Sequence, residues 1–233
     1  QMVLISLAMI AMMTMVNQHG TETTAAYGAA LQLWTYVQMP AMAVGAACSS
    51  MAAQNVGAHR WDRVAATARA GVVMNFLMTG ALIVPLIVFD RWTLSLFLPH
   101  GSDALDVARH LNHIAVWSFL FFGVTFVVSG VVRSTGAVVP PLIILVIALW
   151  GIRVPFANFL QPRIGADAIW WSFPISALCS MVMALAYYRF GNWRKARMLV
   201  PDHHEVAVPA EVPATPPSPV ADPSAEPDDA LAR

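Results

Sequence analysis

Within the long uncharged stretch between Ala25 and Val56, the side chains able to hold a small molecule are neutral: Gln32, Thr35 and Gln38, spaced by three, with Met39 beside them. On a helix that spacing winds them along one side, where amides, a hydroxyl and a soft thioether suit contact with an organic molecule better than bond making. A second group, Trp117, Phe121, Phe122 and Thr125 with Phe119, reads either as helix packing or as an aromatic surface for a hydrophobic cation. His110 and His113 would share a face on a helix; two histidines do not make a metal site, and they read as interfacial polar groups or proton sensors. Arg153 is the one charge inside an apolar run. It reads as a tie between helix ends or as a substrate or coupling group, and its stem can snorkel toward the outer half from a position judged close to a chain break at Pro162.

The acids lie in turns, at span ends or in the C-terminal tail, so no carboxylate is expected to bind sodium or relay a proton at bilayer depth. There is no nucleotide loop, no serine or cysteine catalytic arrangement and no zinc-spaced ligand set. An enzyme, a cofactor and a metal are therefore not expected, nor is nucleic acid. Cys48 and Cys179 sit in apolar runs as buried small side chains rather than a disulfide.

The elements that must position these residues are membrane helices. Of 233 residues, 58% are apolar and only 11% charged, with a mean hydropathy of +0.62, whereas a soluble domain carries about 25% charge. The pattern predicts an all-α, polytopic transmembrane bundle of six spans over residues 1–198, at roughly 2–17, 25–56, 65–89, 106–132, 138–160 and 168–188. Ser102 and Asp103 are expected to cap a helix near Ala104, and residues 161–167 to form a short loop. Gly57 and Gly136 are placed to take positive φ where helices stop abruptly. Residues 199–233, rich in proline, alanine and acid, are expected to be a disordered tail.

Orientation follows from lysine and arginine. With the turn after the second span inside, Arg60, Arg63, Arg69, Arg133, Arg189, Arg194, Lys195 and Arg197 are cytoplasmic, while Arg91, Arg109 and Arg163 are outside. The C-terminus is then cytoplasmic. A first run that starts at once, at Gln1 rather than a methionine, is expected to belong to a longer protein.

Four blocks carry a family resemblance: MPAMAVGAACSSMAAQNVGAHRWDRV at 39–64, SGVVRSTGAVVPP at 129–141, LWGIRVPFA at 149–157 and IWWSFPIS at 169–176. The first closely resembles the second helix and following cytoplasmic loop of the C-terminal lobe in the multidrug and toxic compound extrusion (MATE) family of antiporters, and the others follow in order. The resemblance implies one lobe, helices seven to twelve, of a two-lobe secondary transporter in the bacterial inner membrane, exporting organic cations against a proton or sodium gradient by alternating access. Its partners are then the lipid bilayer, a missing N-terminal six-helix lobe, the cation substrate, and a proton or sodium ion bound by the missing lobe. Sodium-coupled members carry a glutamate in helix seven and an aspartate in helix ten; here the second position falls near Phe122 and the first precedes Gln1 or is absent. Pro40, Gly45, Gln54, Gly57, Arg133, Gly136, Pro141, Arg153 and Pro155 carry over as architecture. A lipid-linked oligosaccharide flippase of the same superfamily and a non-transporting membrane scaffold stand as alternatives.

Overall fold

The computed structural model describes residues 2–99 and 101–195; the tail assignment at 199–233, and Arg197, lie outside the described residues. Helices make up nearly all of the described chain. α1 (Met2–Asn17) is followed by α2 (Thr21–Gly57), α3 (Trp61–Val88), α4 (Asp90–Ser95), α5 (Asp103–Ala115) and α6 (Ser118–Arg133). α7 (Val139–Val146) runs into a π-helical segment (Ile147–Arg153) and on into α8 (Val154–Ile164); α9 (Asp167–Phe190) follows, with a 3₁₀ turn at Trp193–Lys195.

By length and composition, three of these are apolar enough to cross a membrane: α3, the continuous helix 139–164, and α9. The expected span at 106–132 is two helices, α5 and α6, bent by 45°, which make a fourth crossing when counted as one. α1 is a short apolar helix, and α2, the longest at 37 residues, falls outside that count because its Gly, Thr, Gln and Ser residues lower its mean hydropathy. Six is therefore the number of expected spans, and three or four the number that length and hydropathy support.

α2 organises the packing, with its most extensive contacts on α3 and α6; α6 in turn packs on α9. Small residues make this possible. A β-carbon on Gly130 of α6 would stand 2.9 Å from the Gly45 carbonyl oxygen of α2, so the two backbones approach as closely as helices do where lipid offers no hydrophobic drive. One cluster of buried side chains centres on Tyr27, Trp34, Leu111, Ile169 and Trp170, and a second on Cys48, Val64, Val127, Val131 and Trp193.

Several local expectations need correction. Ser102 has extended backbone ahead of α5, but its hydroxyl bonds the Pro99 carbonyl at 3.0 Å instead of capping the helix. Gly57 keeps a negative φ and ends α2; the left-handed residue of that turn is His59, at φ 56°. Gly136 does adopt positive φ, 89°, after α6. The helix does not break at Pro162 but runs to Ile164 and turns at Gly165, φ 62°. Pro140 and Pro141 open α7, where missing amide protons cost little.

Candidate substrate and ion sites of the lobe

The uncovered side of α2 carries Gln32, Thr35, Tyr36, Met39 and Met42, all exposed, while Leu33, Trp34 and Val37 turn inward. Three residues advance a helix by 300°, so a spacing of three drifts, and Gln38 is half-buried rather than in line with Gln32. Tyr36 takes its place, its hydroxyl 3.5 Å from Gln32 Nε2. Thr35 donates its hydroxyl hydrogen to the Leu31 carbonyl at 2.9 Å, so it presents a methyl and an oxygen that can only accept. Beside this side a groove of about 660 Å³ runs between α2, α3 and α4, walled by Tyr36, Val37, Leu82, Pro85, Phe89 and Trp92. It is almost wholly apolar, and Tyr36, which lines it, is the partner of Gln32.

The aromatic group on α6 divides. Phe119 is buried against Trp34 at 5.7 Å, whereas Phe122 pairs with Phe126 at 5.5 Å, and Phe126 covers Gly45. Arg133 lies over the same Phe126 ring at 5.6 Å. Trp117, half-exposed, stands in the two-residue break between α5 and α6; Phe121 and Thr125 are half-buried, joined by the Thr125 hydroxyl on the Phe121 carbonyl. Among the described residues, no hydrogen bond or ring contact joins Gln32, Thr35 or Met39 to Trp117, Phe121, Phe122 or Thr125. Pro40 lies inside α2 and Gln54 is exposed near its end; Pro141 is buried at the start of α7, and Pro155 is exposed just past the π-helix.

Three polar arrangements escape sequence reasoning. Asn75 and Thr79 of α3 are both buried: Asn75 Nδ2 donates to the Ala41 carbonyl at 3.2 Å, one residue past Pro40, and the Thr79 hydroxyl donates to Asn75 Oδ1 at 3.0 Å. Only a glycine, Gly123 of α6, leaves room for that amide. The four-residue spacing of Asn75 and Thr79 in an apolar run was the available signal. Next, Trp34 Nε1 donates to Asn112 Oδ1 at 2.9 Å, leaving the buried Asn112 Nδ2 without a partner among the described residues.

The third is a buried carboxylate at a span end, Asp90. Asp90, the first residue of α4, is 5% exposed; it accepts from Arg109 Nε at 2.9 Å and from the Arg91 amide, and faces His113 Nε2 at 2.9 Å. Burial pushes its pKa up, but the hydrogen bonds from Arg109, His113 and Arg91, with the Arg109 charge, outweigh burial and hold it below the usual carboxylate range. His110 faces Asp167 of α9 at 2.9 Å. The two histidines thus reach two different elements rather than a common ligand, and no group of three or more metal-ligating side chains exists among the described residues.

Arg153 ends the π-helical segment. Its Nε donates to Ser176 Oγ at 2.9 Å, and its guanidinium carbon lies 4.5 Å above the Phe173 ring. With the helix continuous to Ile164, Arg153 is about 16 Å from that end at 1.5 Å per residue, near mid-span and deeper than snorkelling alone would serve.

A sequence model of the MatE family matches residues 1–159. The chain is 37% identical over 199 residues to the probable multidrug resistance protein YoeA of Bacillus subtilis, which covers 84% of this chain and 42% of that protein. It is 33% identical over 198 residues to the probable multidrug resistance protein YpnP of the same organism, covering 85% and 44%. The chain thus spans less than half the length of these curated relatives. The fold is shared with a MATE family multidrug resistance transporter of the MOP superfamily in its outward-facing conformation (TM-score 0.75, 14% identity, 80% of this chain and 42% of that one). It is shared also with a MOP superfamily transporter from Pyrococcus furiosus (TM-score 0.73, 16% identity, 81% and 42%). With two thirds of its residues under the family model and this helical order in common with solved transporters, the chain belongs to the MatE family.

Proposed function

We propose that this chain is the C-terminal lobe of a multidrug exporter that moves organic cations out of a bacterial cell by antiport with protons or sodium, with the α2 side of the lobe facing the transport path. The observation that carries the reading is the 37% identity to a probable multidrug resistance protein over 84% of the chain. The geometry is consistent with it. A lobe that rocks against a second body needs one helix with an uncovered, mildly polar side, and α2 has Gln32, Thr35, Tyr36 and Met39 there beside an apolar groove. Neutral amides, hydroxyls and thioethers bind many hydrophobic cations without committing to one.

In this reading the membrane is the inner membrane, the C-terminus is cytoplasmic, and the coupling ion binds the other lobe, because Asp90, the buried acid of this one, is already held by Arg109 and His113. The flippase alternative calls for a groove lined by several arginines, and the groove between α2 and α3 has none. The test is efflux of a fluorescent cation from liposomes under an imposed proton or sodium gradient. Residues 1–233 alone are expected to give none, and co-reconstitution with the N-terminal half of the longer protein to restore it. Gradient-driven efflux by the lobe alone would overturn the reading.

A further inference from the structure

We infer that Arg153 is the anchor of a binding site for organic carboxylates, distinct from the exposed side of α2. A guanidinium near mid-span is costly to keep there unless water or an opposite charge meets it. Among the described residues no carboxylate comes within 4 Å of Arg153; its hydrogen-bond partner is the neutral, buried hydroxyl of Ser176, and its flat face rests on Phe173. That arrangement, with the neutral Tyr27 phenol near enough to interact with it, orients the group while leaving it without an anionic partner among the described residues. Arginine offers five N–H donors in a fixed fork, and the one used on Ser176 is Nε, so the terminal nitrogens retain the geometry that grips a carboxylate in two places.

The surroundings fit an acid with an aromatic or otherwise apolar body. Phe173 packs edge-on against Trp34 at 5.3 Å and tilted against Tyr27 at 6.3 Å, and Tyr27 lies tilted on Trp170 at 5.8 Å. The same cluster ends at Asn112, whose Nδ2 is a second buried donor without an acceptor among the described residues. Arg153 also closes a π-helical segment, two residues ahead of Pro155, an irregularity frequent at functional sites. Depth argues against a lipid headgroup as the source of the anion. Arg153 lies about 16 Å from the Ile164 end of its helix and about 20 Å from the Val139 end, in a hydrocarbon core about 30 Å thick. The site does not depend on the export reading, since binding is measured on this chain by itself.

The experiment is equilibrium dialysis of the purified chain in phosphatidylcholine nanodiscs against benzoate and its neutral isostere benzamide. Benzoate is expected to bind at least tenfold more tightly, the ratio that a charged hydrogen-bonded pair supports. Arg153→Gln is expected to erase the preference and Arg153→Lys, which keeps the charge without the fork, to retain part of it. A merely structural arginine would change stability without changing the benzoate to benzamide ratio. Equal binding of the two probes by the unaltered protein overturns the proposal, whether or not the Gln variant folds, and so does an Arg153→Gln variant that keeps the preference. In phosphatidylglycerol nanodiscs the preference is expected to persist; its loss there would assign Arg153 to the lipid headgroup and refute the organic acid.

Discussion

Replacing Gly130 with alanine tests whether the α2–α6 contact is as close as the structure has it. The added β-carbon would stand 2.9 Å from the Gly45 carbonyl oxygen and 3.4 Å from the Ser49 β-carbon. An ordinary carbon–oxygen contact is about 3.3 Å, so the helices must part by about 0.4 Å, and the obstacle is backbone that cannot swing aside. Overpacking of this kind costs about 1–3 kcal/mol, offset by the gain of about 0.5–1 kcal/mol when a helical glycine becomes alanine. Gly45→Ala meets Phe126 Cδ1 at 2.5 Å, but that ring is half-buried and can rotate, so its cost is smaller. Gly80→Ala in α3 has nothing within 4 Å and is expected to stabilise by about 0.5–1 kcal/mol. The assay is thermal unfolding of the detergent-solubilised protein followed by tryptophan fluorescence. The helix gain is common to both variants, so at about 2–4 °C per kcal/mol for a chain of this size Gly130→Ala should melt about 2–12 °C below Gly80→Ala, with Gly45→Ala between them. Identical melting of the Gly130 and Gly80 variants would refute the close approach.

Cysteine placed at Thr35 is expected to react with a water-soluble thiol reagent while one at Leu33 is protected; equal labelling of both counts against an open α2 side. Trp34→Phe removes the donor that fixes Asn112 and leaves its amide with no partner at either end, a loss of about 1–3 kcal/mol read as a lower melting temperature, and Asn112→Leu in that background should recover part of it. Because the folded pKa of Asp90 is depressed, its contribution to stability is fully present above the ordinary carboxylate range and is lost as pH falls through the depressed value. Acid melts of the native protein should therefore hold steady down to about pH 4 and fall below it, and Asp90→Asn should flatten that part of the profile; an unchanged profile would remove Asp90 from the account.

The fold class was legible because long uncharged runs leave few alternatives. Backbone groups in lipid must pair within their own segment, so each run is a helix, and proline pairs, glycine and arginine at the run ends mark the turns. Boundaries and continuity were less so. A proline at position 162 reads as a stop, yet a helix tolerates it where the carbonyls it frees lie near an end; the bend at Val116 and Trp117 left no comparable mark in an apolar stretch.

The sequence by itself determined the helical membrane class, the MATE resemblance, and the neutral character of Gln32, Thr35 and Gln38, since each rests on composition or local order. Only the tertiary structure decided which groups meet. Asp90 looks like an interfacial acid until α5 brings Arg109 and His113 onto it across 19 and 23 residues, and Arg153 looks like a tie between helix ends until Phe173 and Ser176, on the next helix, are found beside it. Neither pairing has a local signature, because a helix sets only which side a residue occupies, while the packing of one helix on another sets what faces that side.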